Sequence, residues 1–289
     1  MSVSPQIREK IERISNLPTL PQIASRLLML VNEPSTSAAD VAGLVGQDVS
    51  LSAKILRLAN SAYYGAPREI ASIQSAVVRL GFKVINTMVI SLTVFDMFPS
   101  GRHSARFDRR AFWRHCIYCG LLSKLIAQQD RPAASIDPEE AFCAGLLHDI
   151  GKIVMDQYLH DDFLTSIEYA QRNSLPCFAA ENETLGYTHT DVAQWLITRW
   201  ELPDSLSEPI VLHHTPDKAA SGGVHAAICH CADVLCYDAE ISAETGSAPP
   251  LLSPQVLERA GLRADVIPTI KKRCVEQIAA MDTFFELLR

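Results

Sequence analysis

Apolar residues recur along this chain at three- and four-residue intervals almost from end to end, and no run alternates strictly enough to propose a strand. The pattern predicts an all-α protein. Pro5 to Ser15 reads as a first helix, and L-P-T-L-P (Leu17 to Pro21) as an extended entry from which Pro21 opens the next, ending near Val31. Ser37 with Asp40 marks a start for Val41 to Val45. Asp48 caps a helix whose Leu51, Ile55 and Leu58 share one face; it exits through N-S-A-Y-Y-G (Asn60 to Gly65), which reads as an inter-helix corner or as a surface for partner contact. Ser72 or Ser75 begins a helix closing at Leu80-Gly81, and a long apolar helix runs from Val84 to Phe98.

Pro99 to Arg110 is short, polar and rich in turn formers, and so marks a boundary. Its Arg102, Arg106, Arg109 and Arg110 read as a solvated connector or as a guide for an anionic ligand. Asp108 then caps a helix that carries His115 among Phe112, Trp113 and Ile117, an apolar setting in which an imidazole must find a partner. Asp137, Pro138 and Glu140 start the stretch A-F-C-A-G-L-L-H-D-I-G-K (Ala141 to Lys152), an apolar run that stops at His148-Asp149 near its helix end. Helices over Ile153–Leu159 and Phe163–Gln171 precede a turn at Pro176. Thr188 and Asp191 start the helix with His189 in its first turn, Pro203–Leu212 delivers His213 and His214, and Val224–Tyr237 carries His230 and Asp233. Ser253-Pro254 opens a helical tail. The division expected is 1–106 as a helical bundle, 107–240 as a helical core, and 241–289 as a tail packing on that core.

At 289 residues and 48% hydrophobic, the chain has ample material for a core. No apolar segment approaches the roughly 20 residues of a membrane span, and the polar N-terminus lacks the apolar stretch of a signal peptide, so a cytoplasmic protein with no membrane partner is expected. The 8 cysteines are scattered within apolar runs, as buried thiols in a reducing compartment are. Cys116 and Cys119 have metal or redox spacing, but no second pair follows and the same spacing serves a core face. Residues 1–110 hold 13 Lys and Arg against 8 Asp and Glu, while the remainder hold 13 against 25. A surplus so dilute, followed by an acidic half, argues against nucleic acid as a partner.

The order His115, His148-Asp149, His189, His213-His214, Asp233 resembles the HD superfamily of metal-dependent phosphohydrolases. The blocks L-P-T-L-P, Q-D-V-S-L-S, L-R-L-A-N-S-A-Y-Y-G and I-A-S-I-Q-S-A-V-V-R-L-G look like the opening of the HDOD family, the HD-related output domains of bacterial signalling proteins. Together the two resemblances cover roughly Ile11 to Asp238. They imply an N-terminal bundle on an HD-type core, and a regulatory role among the signalling proteins of a bacterial pathway. By the same resemblance His115, His148, Asp149 and Asp233 would hold one ion and His189, His213 and His214 a second, with Asp149 bridging. Imidazole and carboxylate suit iron, manganese, nickel or zinc. Asp149 and Lys152 would then be the catalytic residues of the alternative reading, a phosphohydrolase acting on a nucleotide or cyclic dinucleotide. HD-GYP relatives follow their His doublet with an acidic residue and a G-Y-P segment, whereas here His213-His214 runs into Thr215-Pro216-Asp217, and Ala111 leaves no acidic ligand for a third ion.

Overall fold

The computed structural model describes residues 18–31, 33–65, 68–99, 107–129, 136–219, 223–238 and 247–287. Among them there is no strand, and no helix is long and apolar enough to cross a membrane. The expected helix over 5–15 lies outside these residues. The described residues divide into two compact units, one of 18–99 with 272–287 and one of those between 107 and 271.

The first unit holds α1 (Gln22–Val31), α2 (Ala38–Val45), α3 (Val49–Ala59), α4 (Ile73–Leu80) and α5 (Phe82–Met97). Three of these helices start on side-chain caps: Ser37 and Asp40 form a reciprocal capping box, Asp48 accepts from Leu51 N–H, and Ser72 rather than Ser75 caps α4. α5 is buried almost all round, from Ile85 to Phe95, with the other four helices of the bundle packed about it or about one another. Asn60 accounts for the corner after α3. Its side-chain amide donates to Leu56 O and Ile70 O, and its Oδ1 accepts from Ile70 N–H at 2.7 Å, so one side chain clamps both ends of the connection.

The second unit contains α6 (Arg109–Ala127), α7 (Pro138–Leu147), α8 (Ile150–Tyr158), α9 (His160–Asn173), α10 (Cys177–Leu185), α11 (His189–Trp200), α12 (Asp204–Leu212), α13 (Val224–Asp238) and α14 (Pro254–Arg259). α10 follows directly on the turn at Pro176 and was not foreseen as a helix. α15 (Ile267–Ile278) spans the division, and α16 (Asp282–Leu287) packs on α3, with Arg57 paired to Glu286 and Phe284 edge-on to Tyr63. The tail expected on the metal-type core is thus shared out, its last residues belonging to the bundle unit.

Within the second unit α6, α7 and α13 form the centre, with α12 against α7 and α13, and α11 against α8 and α12. α6 and α7 meet backbone to backbone. A Cβ at Gly120 would stand 2.8 Å from Phe142 O, and one at Gly145 2.8 Å from Cys119 O, so only glycine allows this approach.

Arg109 corrects the reading of the connector. Rather than meeting solvent it is 2% exposed at the first turn of α6, with Nε 2.6 Å from Asp156 Oδ2 on α8, both side chains 3% exposed; Arg110 is exposed, and Arg102 and Arg106 fall outside the described residues. Removing one member of such a pair strands the other. Arg109→Met should therefore cost about 3–5 kcal/mol of unfolding free energy, and the double variant Arg109→Met/Asp156→Leu should recover most of it in urea denaturation. A single variant as stable as wild type would show that the pair is dispensable.

Candidate metal centre

Helix ends, not helix middles, supply most of the donors. α7 stops at His148, whose backbone is still right-handed helical (φ −52°, ψ −38°), and Asp149 breaks the helix (φ −99°, ψ 14°) before α8 begins at Ile150. The His-Asp pair therefore lies at the junction of two helices. Asp149 makes no capping bond, which leaves its carboxylate free to face inward. His189 opens α11 behind the capping box of Thr188 and Asp191, His213 closes α12 with His214 next, and α6 and α13 contribute His115 and Asp233 from their interiors.

The structure brings all seven donor residues together. His148 Nε2 is 3.2 Å and His115 Nε2 3.6 Å from Asp149 Oδ2, and the same two nitrogens are 3.8 and 3.4 Å from Asp233 Oδ1. On the other side His189 Nε2 is 3.2 Å and His213 Nε2 3.7 Å from Asp149 Oδ1, with His214 Nε2 3.2 Å from His189 Nε2. One carboxylate thus faces two sets of imidazoles. Lys152, one turn into α8, is 4% exposed and puts Nζ 2.9 Å from Asp149 Oδ2.

Outer hydrogen bonds decide which ring nitrogens are free. Nδ1–H of His148 donates to Gly145 O at 2.7 Å, that of His213 to Ile210 O at 2.8 Å, and that of His189 to Glu181 Oε2 at 2.7 Å. In its neutral form each of these rings keeps its lone pair at Nε2. The Nε2 atoms of His189 and His213 oppose each other at 3.5 Å, beside Asp149 Oδ1, a buried oxygen that has no hydrogen-bond partner. Lone pairs and an orphaned carboxylate oxygen aimed at one point are costly unless a cation takes them. Donor atoms of Asp149, His189, His213 and His214 all lie within 4.8 Å of one another, as do those of His115, His148 and Asp149. The residues present fit a divalent metal.

Electrostatically the two sides differ. Burial alone would depress His115, but hydrogen bonds to Asp149 and Asp233 carry it up to about 9. Burial followed by the neighbouring His148 holds His213 down to about 4, and burial with His213 and His189 puts His214 well below the usual imidazole range. Asp149 and Asp233 are held well below ordinary carboxylates, because the cationic groups around them outweigh their burial.

Two features were not anticipated. Glu181, fully buried on α10, accepts from both the backbone N–H and Nδ1–H of His189, each at 2.7 Å. Its trace in the sequence is faint: with Cys177 and Ala180 it occupies the one buried stripe of α10. The thiols of Cys119 and Cys229 also border His148. His230, considered as an outer partner, places Nδ1 2.7 Å from His213 O and Nε2 3.0 Å from Leu251 O.

A family model for the HDOD domain matches residues 17–216, from L-P-T-L-P through the His doublet. The chain belongs to the HDOD family. Asp233 lies beyond the matched segment, yet completes the site described above. An HDOD domain protein with unknown function from Geobacter sulfurreducens has the same fold at a TM-score of 0.78, 26% identity and 95% coverage of both chains. A candidate phosphohydrolase from Shewanella amazonensis superposes with a TM-score of 0.75 at 24% identity over 97% of this HDOD chain and 98% of its own. An uncharacterized protein of Treponema pallidum is 24% identical over 205 residues, which are 70% of this chain but only 38% of that protein.

Gly151, in the H-D-I-G-K motif, sets how closely α8 and α11 approach. A Cβ there would fall 1.9 Å from the carbonyl oxygen of His189, against backbone that cannot step aside without moving that ligand. Gly151→Ala is expected to cost roughly 1–3 kcal/mol in chemical denaturation. An unchanged midpoint would mean that His189 is not seated by this contact.

Proposed function

We propose that this chain is a cytoplasmic HDOD-type regulatory module of a bacterial signalling pathway, acting through contacts with other signalling proteins and holding a centre of two transition-metal ions. The observation that carries the metal reading is Asp149, with one oxygen toward His115 and His148 and the other toward His189 and His213. His115, His148, Asp149 and Asp233 would hold one ion and His189, His213 and His214 the second, with Asp149 shared. Iron, manganese, nickel and zinc all suit these donors. Such ions supply Lewis acidity and lower the pKa of water.

The chain's own residues support a structural or sensing use of that centre. His148, His189 and His213 are 0% exposed and His115, Asp149, Lys152 and Asp233 no more than 4%, while His214 alone among the donors is half-buried. A substrate must be gripped as well as reached, and Thr215-Pro216-Asp217 is not the acidic and G-Y-P continuation by which HD-GYP relatives were distinguished above. One observation favours the second reading, a metal-dependent phosphohydrolase for a nucleotide or cyclic dinucleotide: the Lys152 ammonium is buried beside Asp149, where it would stand to neutralise a phosphoryl oxygen.

Two measurements test these readings. Elemental analysis of purified protein should find about two transition-metal ions per chain, as dinuclear sites carry, and metal uptake should expel protons. His115 in the metal-free site is raised from 6.5 to about 9, and His148 is raised as well, so below about 9 His115 must lose a proton to become a ligand. Affinity should then climb with pH across that window and level off above it, and calorimetric heats should vary with the ionisation enthalpy of the buffer. Heats independent of buffer would show that His115 is not a ligand.

Turnover separates module from enzyme. Cyclic di-GMP should be hydrolysed slowly or not at all, and any metal-dependent cleavage of bis-nitrophenyl phosphate should vanish in Asp149→Ala and His214→Ala while circular dichroism stays helical. Cyclic di-GMP turnover of about 1 per second or faster, as ordinary enzymes show, would make the protein a phosphodiesterase.

A further inference from the structure

His115 and Cys119 stand four residues apart on α6, and Cys229 and Asp233 four apart on α13, so each helix presents a thiol and a second donor, imidazole or carboxylate, on the same face. The imidazole and the carboxylate meet at 3.4 Å, His115 Nε2 to Asp233 Oδ1. One turn away the thiols meet as well: Sγ of Cys119, Sγ of Cys229 and a ring nitrogen of His148 lie within 4.8 Å of one another. Both are free cysteines, 0% and 1% exposed. Two thiols from different helices converging on one imidazole is a ligand set in its own right. Thiolate sulfur and imidazole nitrogen select zinc, cadmium and copper(I) over the harder ions that carboxylates prefer, and three protein ligands leave a fourth tetrahedral position for water.

We propose that Cys119, Cys229 and His148 form a separate site for a thiophilic cation, and that filling it takes His148 away from Asp149 and Asp233. The exclusion follows from the ring itself. While Nδ1–H of His148 keeps its bond to Gly145 O at 2.7 Å, the neutral ring has one lone pair, at Nε2, and cannot give it to two ions. Soft and hard ions would therefore compete for one imidazole, and the identity of the metal would set the state of the centre.

The full chain, stripped by chelator under reductant and then freed of both, is titrated with Cd²⁺ alone and with Co²⁺ alone. Thiolate-to-metal charge-transfer absorption should appear in wild type and in Cys274→Ser, and disappear in Cys119→Ser and Cys229→Ser. It should survive in Asp149→Ala, which removes the bridging carboxylate; the thiol site and the two-ion reading thus fail or stand separately. Without any variant, Cd²⁺ should shield Cys119 and Cys229 selectively from alkylation, read by mass spectrometry. Prior loading with Cd²⁺ should weaken Mn²⁺ binding roughly 10-fold or more, the scale set by disturbing the support of a metal ligand. Absence of charge-transfer absorption in wild type, its persistence in both cysteine variants, or uniform alkylation would overturn the site. Equal Mn²⁺ affinity with and without Cd²⁺ would overturn the sharing of His148.

Discussion

A carboxylate 1% exposed in the middle of a helical unit is the constraint from which the rest of this site follows. Burying such a charge costs several kcal/mol after relaxation, and attraction offsets that only where cations and hydrogen bonds surround it closely. Asp149 is placed for this by a break in the chain. Were α7 continuous through the pair, residue 149 would point about 100° away from its neighbour. The interruption instead lets Asp149 turn both oxygens into the space between α6, α8, α11 and α12. Lys152 then reaches back from the first turn of α8, and the glycine between them admits the start of α11.

The imidazoles are oriented by acceptors behind them. Gly145 O and Ile210 O each lie three residues before the ring they hold, which is local geometry at a helix end. Glu181 is different, since it comes from another helix and holds both the backbone and the ring of His189. Its carboxylate makes that ring a better donor and fixes its tautomer.

Much of this was legible in the sequence because it is written in short-range chemistry. The caps at Asp48, Asp108, Asp137 and Thr188 announced helix starts within a residue or so, Ser37 opened its helix three residues before the expected Val41, and the spacing of His and Asp carried a family resemblance. What escaped was long-range. Nothing local says that Arg109, in a run of four polar-looking arginines, faces Asp156 some 47 positions on, or that Glu181 belongs to a histidine on the next helix. Cys116 and Cys119 are both buried, as a core-face spacing along one helix implies, but no local spacing announces that the thiol of Cys119 also meets Cys229, on another helix. The helix over Cys177–Leu185 went unseen because Pro176 reads equally well as a turn and as the residue before a helix start.

The backbone contact between α6 and α7 has a mechanical consequence. Because glycines at 120 and 145 let the two helices touch without intervening side chains, neither can slide or roll without driving peptide into peptide, so His115 and His148 are mounted on a rigid pier. His189 is seated in the same way, its carbonyl oxygen against Gly151 and its backbone and ring on Glu181, whereas His213 and His214 close α12 with the ring of His213 on Ile210 O. Three of the four helices that face Asp149 thus meet through glycine-mediated backbone contacts or bonds to buried side chains, so the spacing of the imidazoles is set by main chain more than by side-chain packing.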